Sequence, residues 1–350
     1  MTFNIKKFAR KSLLDLKPYK SAREEYVSKN KNVILLDANE SPYKSSTNRY
    51  PDPFQVDLKK RISLWKSIPF ENIYISNGSD EFISQVILGF CEPGIDNIVI
   101  SSPTFLMYSV SANLHGVEIN DIPLSKKFEL NVDKIITKSS INSKIIFVAN
   151  PNNPTGNSFD NKDLIRIIKN FPGLIVIDEA YIEFSEKKSL INYIKKYPKL
   201  IISQTFSKAQ GMAGARVGMT FAHKEIINFL NQIKAPYNLN TLSQKVIINK
   251  INKQNKVLSK IKITLEERKI LEIKMRKINF IKKIYQSDAN FILIKVDNSY
   301  NRYKQLINKG IVVRDSSKNI NCNNTLRITV GKPKENYLLI KSMQEIDKVK

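Results

Sequence analysis

The chain of 350 residues is 42% hydrophobic and 25% charged, an ordinary balance for a globular protein with a large core, which excludes disorder along most of it. Its net charge of +25 comes from lysines spread along the chain beside abundant Asn and Ile. That is the signature of A/T-rich codons rather than of a basic arm, and it predicts no nucleic-acid and no membrane partner. Two cysteines, Cys91 and Cys322, and two histidines, His115 and His223, leave no disulfide framework, no metal site and no recognisable Ser-His-Asp arrangement.

The N-terminal "MTFNIKKFARKSLLDLKPYK" is basic without an apolar run, so it does not read as a secretory signal. With so few cysteines, a reducing, cytoplasmic setting is expected. Short apolar runs then recur: "NIYIS" to Ser76, "DNIVIS" to Ser101, "SKIIFVAN" to Asn150, "GLIVIDEAY" to Tyr181, "KLIISQT" to Thr205 and "ARVGMTFA" to Ala222. Continuous β-branched runs of this length predict strands buried on both faces of a mainly parallel sheet. Helical patterns lie between them at Asp80–Phe90, Phe105–Leu114, Asp160–Asn170 and Ser189–Lys196. The alternation predicts a doubly wound α/β domain over 36–236. One long helix is expected over Thr241–Lys277, with Val246, Ile247, Ile251, Val257, Leu258, Ile261 and Leu265 at helical spacing. "FIKKIY", "NFILIKV", "GIVVRD" and "TLRITVG" read as strands, with helices at Tyr300–Lys309 and Lys334–Val349. They make a smaller α/β domain from 237–350 together with the N-terminal arm, 1–35.

In an open parallel sheet, ligands bind beyond the carboxyl ends of the strands. Four such ends carry polar groups here: Asn77-Gly78-Ser79-Asp80, "NPNNPTG" from Asn150, Asp178 with Tyr181, and Thr205-Phe206-Ser207-Lys208. Gly78, Ser79 and Asp80 open a helix, whose free N–H groups suit a phosphate, although the same residues also make an ordinary N-cap. Ser207 and Arg216 can add a hydroxyl and a planar cation. Asp178 at a strand end is a buried carboxylate that needs a cationic partner, and a protonated pyridine nitrogen is one. Lys208, set among small residues, is a candidate Schiff-base amine. Such a lysine with an Asp partner for the ring nitrogen is what pyridoxal phosphate requires. Asn153 and Tyr181 can donate to the ring's phenolic oxygen, and Tyr108 can offer a stacking face.

In this order, "DANESP", "NRYPDP", "NPNNPTG", "IDEAYIEF", "TFSKAQGMAGAR", "GIVVRD" and "LRITVG" resemble the fold-type I aminotransferases that use pyridoxal 5′-phosphate. "PYKSAR", "DANESP" and "RYPDP" narrow the resemblance to the histidinol-phosphate aminotransferase group, over nearly the whole chain. The resemblance implies Lys208 as the lysine bonded to the cofactor, Asp178 as partner of the ring nitrogen, and Asn153 and Tyr181 on the ring oxygen. It implies Tyr108 as the stacking aromatic, and Gly78, Ser79, Asp80, Thr205, Ser207 and Arg216 around the phosphate. Tyr50 would reach the cofactor phosphate of a neighbouring subunit, which makes a homodimer with shared sites. Arg327 would clamp an α-carboxylate, while Arg314, Tyr19 and Asn39 would line the substrate pocket. The implied reaction exchanges an amino group between histidinol phosphate and 2-oxoglutarate, giving imidazole-acetol phosphate and glutamate, with Arg314 serving the anionic far end of both donors. An aromatic-amino-acid aminotransferase or a threonine-phosphate decarboxylase would keep the same cofactor site. Many relatives carry an aromatic residue where this chain has Gln210, a departure expected to alter packing rather than chemistry.

Overall fold

The computed structural model describes residues 3–17 and 34–348. A seven-stranded sheet is built from β1 (Ile73–Ser76), β2 (Asn97–Ile100), β3 (Glu118–Asp121), β4 (Ser143–Ala149), β5 (Leu174–Asp178), β6 (Leu200–Thr205) and β7 (Gly218–Phe221), in the order β1-β7-β6-β5-β4-β2-β3. Only β7 runs against its neighbours; the other pairings among β2 to β6 are parallel. The β-branched runs are buried on both faces, as their composition predicts. In β4, Ile146 and Val148 join one core cluster while Ile145, Phe147 and Ala149 join the other. Alternate side chains leave opposite faces of a strand, so an unbroken apolar run feeds two cores at once.

Helices cover both faces. They are α1 (Lys11–Leu14), α2 (Val56–Lys66), α3 (Gly78–Phe90), α4 (Met107–Leu114), α5 (Val132–Lys138), α6 (Asn161–Asn170) and α7 (Lys224–Ile233). In α6, Asp160 caps the N-terminus by accepting from the Lys162 N–H, and Leu164, Ile167 and Ile168 form the buried stripe. His223 caps α7 through Nδ1 in the same way. The edge strand β3, "EIND", lacks an apolar run and is half-exposed, so its sequence gives no strand signal. The stretch predicted as a helix at Ser189–Lys196 is a single 3₁₀ segment, Ile191–Lys195.

A second sheet joins β8 (Ile281–Ile284), β9 (Phe291–Val296), β10 (Arg314–Asp315) and β11 (Thr325–Thr329) in the order β10-β11-β9-β8, all antiparallel. Its core is completed by α9 (Gln254–Met275), α10 (Ser299–Asn308) and α11 (Pro333–Lys348). The one long helix expected over Thr241–Lys277 is two. Helix α8 (Thr241–Ile251) ends at Asn252, and α9 starts afresh at Gln254. The break spans Asn252 and Lys253, where backbone N–H groups turn back onto Ile248 and Lys250 carbonyls. A small apolar cluster of Tyr181, Phe184, Val257, Ile261, Ala289 and Phe291 joins the two layers. No described helix is long and apolar enough to cross a membrane.

Candidate active site

The strand directions bring Ser76, Gly218 and Thr205 side by side at one edge of the sheet. The ends of β4 and β5, Ala149 and Asp178, pair next to them. Above this edge lies a cavity of about 470 Å³. Its wall includes Ser79, Asp80, Asn153, Asp178, Tyr181, Thr205, Ser207, Lys208 and Arg216, with Arg314 and Arg327 contributed by the second sheet. All of these were singled out in the sequence. They span more than two hundred residues; the mainly parallel sheet gathers all but Arg314 and Arg327, which the antiparallel second sheet adds.

Each group is held by local structure. Helix α3 begins at Gly78 without a side-chain cap, so its first N–H groups, at the cavity end, have no capping side chain among the described residues. Gly78 has φ +78°, and a Cβ there would lie 2.6 Å from Arg216 Nη2. Only glycine allows the guanidinium to lie against the helix start. Arg216 in turn pairs with Asp80 at 3.0 Å. Both side chains are nearly half exposed, so the pair contributes little to stability; its effect is to hold a cation beside the uncapped N–H groups. The next loop is pinned by the Ser207 N–H donating to Thr205 Oγ1 at 3.1 Å and by the Met212 N–H donating to the Phe206 carbonyl at 2.9 Å. Lys208 therefore projects from a fixed turn.

Asp178 is buried. Its Oδ2 accepts from the Tyr108 hydroxyl at 2.8 Å and its Oδ1 from the Ala180 N–H at 3.1 Å. Burial nevertheless pushes its carboxyl above the ordinary range, against these hydrogen bonds and against Lys208. Burial, followed by the Arg327 charge, lowers the Lys208 amine, which Asp178 partly offsets. The amine stands over the Tyr181 ring at 5.4 Å, and burial pushes the Tyr181 hydroxyl up to about 12. Arg327 donates through Nη1 to Asn153 Oδ1 and lies 5.3 Å from the Phe291 ring.

Not every predicted residue is where the sequence suggested. Tyr108 is fully buried, stacks on Phe147 at 4.7 Å and 13°, and gives its hydroxyl to Asp178. It sits beneath the cavity and has no face to offer a ligand. The cavity wall holds Phe105 instead, three residues earlier and just ahead of α4, whose first turn directs Tyr108 into the sheet. Tyr50 and Asn39 lie in a separate cavity of about 480 Å³ with Glu40, Arg49 and Tyr237. Tyr19 lies outside the described residues. Gln210, without a reason in the sequence, is buried and makes a reciprocal amide pair with Gln254: Nε2 to Oε1 at 3.2 Å in one direction and 3.1 Å in the other. Neither Thr104 nor Ser316, which also line the cavity, carried any motif signal.

The set of groups matches one kind of ligand. Uncapped N–H groups and a guanidinium suit a phosphate. A buried carboxyl with a raised pKa is relieved by a cationic ring nitrogen, and an amine with lowered basicity attacks an aldehyde. The three lie in one cavity, and pyridoxal 5′-phosphate carries the three complementary groups on one small frame.

Comparison with known proteins agrees. Residues 26–342 match the family model described as aminotransferase class I and II. The histidinol-phosphate aminotransferase of Flavobacterium psychrophilum is 46% identical over 97% of both chains. That of Christiangramia forsetii is 43% identical over 99% of both. Among solved structures, the histidinol-phosphate aminotransferase from Clostridium acetobutylicum superposes with a TM-score of 0.79, at 27% identity, over 85% of this chain and 90% of that one. With the fold, the cavity and these matches in agreement, the chain belongs to the class I and II aminotransferases and is a pyridoxal-phosphate-dependent enzyme.

Proposed function

We propose that the chain transfers an amino group between L-histidinol phosphate and 2-oxoglutarate, giving imidazole-acetol phosphate and L-glutamate, a cytoplasmic step in making histidine. The observation that carries this reading is the pairing of Arg314 with Arg327 across β10 and β11, both lining the cavity that holds Lys208. Two guanidiniums at its mouth suit substrates that are anionic away from the reacting carbon. Glutamate has a second carboxylate there and histidinol phosphate a phosphate. The high identity to histidinol-phosphate aminotransferases supports the same choice.

Ser79 and Thr205, Ser207 and Arg216 would hold the cofactor phosphate, Asp178 its ring nitrogen, and Asn153 with Tyr181 its ring oxygen. Phe105, rather than Tyr108, would cover one ring face; Tyr108 instead fixes the Asp178 carboxylate. When bound, the cofactor supplies the carbonyl that accepts the amino group and the ring that takes up an electron pair. Lys208 takes the proton from the substrate Cα, and its lowered basicity makes the neutral amine available closer to neutral pH. Arg327 orients the substrate carboxylate of glutamate so that the Cα–H bond faces that amine. Arg314 binds the distal anion.

We also read residues 36–236 as the cofactor-carrying domain, and 1–35 with 237–350 as the domain that brings in Arg314 and Arg327. The active form in this reading is a homodimer. Ile34, Leu36 and Tyr43 are more than four-fifths exposed, an unusual cost for a monomer, and they lie in the segment just before Tyr50, which would complete the partner's phosphate site. Purified protein assayed with histidinol phosphate, phosphothreonine and phenylalanine tests the substrate assignment. Histidinol phosphate should exceed phenylalanine in kcat/KM by about tenfold or more, since an analogue without a distal anion forgoes the charge-assisted hydrogen bonds that Arg314 offers a phosphate. Preference for phenylalanine, or decarboxylation of phosphothreonine, refutes it.

A further inference from the structure

Tyr237 and Asn238, between α7 and α8, belong to no motif and do not line the cavity around Lys208. Tyr237 has φ +58°, a left-handed conformation that a bulky residue adopts only where its surroundings enforce it. Its ring stacks on Tyr50 at 4.7 Å and 16°. The Asn238 side chain uses its full hydrogen-bonding capacity. Its Nδ2 donates to the Ile75 carbonyl at 3.2 Å and to Glu81 Oε2 at 2.9 Å. Its Oδ1 accepts from Gln55 Nε2 at 3.2 Å and from Lys234 Nζ at 3.1 Å. The Asn238 carbonyl accepts from Asn77 Nδ2 at 3.2 Å.

These partners fall into two groups. Ile75, Asn77 and Glu81 are the end of β1 and the start of α3, where Glu81 also accepts from the Asn77 N–H. That is the frame of Gly78, Ser79 and Asp80. Gln55 and Lys234 both hold the Pro53 carbonyl, at 2.8 and 2.5 Å, and so fix the "YPDP" segment that carries Tyr50. Gln55 is itself fully buried in a left-handed conformation at the start of α2. One asparagine thus ties the helix start that faces this subunit's cofactor phosphate to the segment bearing Tyr50, while its neighbour grips the Tyr50 ring.

We propose that Tyr237 and Asn238 form a positioning clamp that sets the α3 helix start and the Tyr50 arm as one rigid piece, so that the phosphate sites of both subunits depend on it. The clamp rests on the reading of Tyr50 as a residue that serves the partner's cofactor. Neither clamp residue touches the cofactor; both act through Tyr50 and the α3 N-terminus. Loss of the clamp weakens cofactor binding rather than the proton transfers at Lys208.

Titration of the cofactor-free protein with pyridoxal phosphate, followed by absorbance and repeated with thermal unfolding, tests this. Asn238→Ala should raise the cofactor Kd about tenfold, and added cofactor should restore most of the activity lost at limiting concentration. Tyr237→Gly removes both the backbone strain and the stack. It should leave the thermal midpoint of the cofactor-free protein level or higher, yet raise the cofactor Kd about threefold or more. A purely structural role would move both readings together. If Asn238→Ala fails to fold, Tyr237→Gly decides alone. A cofactor Kd within about twofold of the parent's in the folded variants overturns the clamp. Tyr50→Ala in the same titration separates the two readings: an unchanged Kd there refutes the role of Tyr50, whereas a raised Kd beside unaffected clamp variants refutes only the clamp.

Discussion

Asp178 pays for its position. A carboxyl whose folded-state pKa lies above the ordinary value costs nothing below that value. As the pH rises from the ordinary value to the raised one, the cost grows, and above the raised value it is fully present. Asp178→Asn should therefore raise the thermal midpoint of the cofactor-free protein, by about 2 °C or more for a chain of this size, while transamination falls at least about a hundredfold. Differential scanning of the cofactor-free variant checks the first effect, and a steady-state assay the second. A lower midpoint would show that the carboxylate is already well compensated. Lys208 moves the other way. Burial and Arg327 lower its basicity, so in the cofactor-free protein its reaction with a small aldehyde should set in at a lower pH than for a free lysine. In Arg327→Leu one of the lowering charges is gone, and the midpoint of that pH profile should move up. A midpoint that stays or falls would remove Arg327 from the account. The same residues show what a sequence hides. Lys208, Asp178, Asn153 and Arg327 were legible because they sit in short motifs, the first three at or just beyond strand ends and Arg327 within β11. That Phe105 lines the cavity and Tyr108 does not was hidden because both are aromatic and three residues apart, and only the starting point of α4 decides which one faces the sheet.

At the scale of elements, the loop after β6 is secured by a contact between distant segments. Gln210 and Gln254 each donate to and accept from the other, joining the lysine turn to the start of α9 at the break that the helical periodicity did not predict. The apolar spacing continues across Asn252 and Lys253, so the sequence reads as one helix; just past the break, the Gln254 side chain is met by the buried Gln210. Gln210→Ala should cost about 1–2 kcal/mol in denaturant unfolding, since it strands a part-buried amide. Gln254→Ala should cost less once Gln210 is already alanine, and that coupling is the measurement that matters. Additive losses would mean that the pair merely coexists. The buried strands were readable from β-branched runs, whereas β3 was not, because an edge strand needs no apolar run to pair with β2.

For the whole molecule, two sheets meet at one cavity, and each supplies what the other lacks: the seven-stranded sheet the amine, the carboxyl and the phosphate cradle, the four-stranded sheet the two arginines. If the sites are also shared between subunits, two defective chains should complement each other. Lys208→Ala and Tyr50→Ala proteins, each nearly inactive at limiting cofactor, should regain up to about a quarter of the parent activity after mixing and subunit exchange, since half the dimers are then mixed with one intact site each. No recovery would contradict sharing through Tyr50.

The central claim is tested most directly by the two half-reactions run separately on the loaded enzyme. Histidinol phosphate alone should abolish the visible band of the bound cofactor, releasing one imidazole-acetol phosphate per site, and 2-oxoglutarate alone should then restore the band with one glutamate per site. A band unmoved by histidinol phosphate, or carbon dioxide released from phosphothreonine at a comparable rate, would contradict the account.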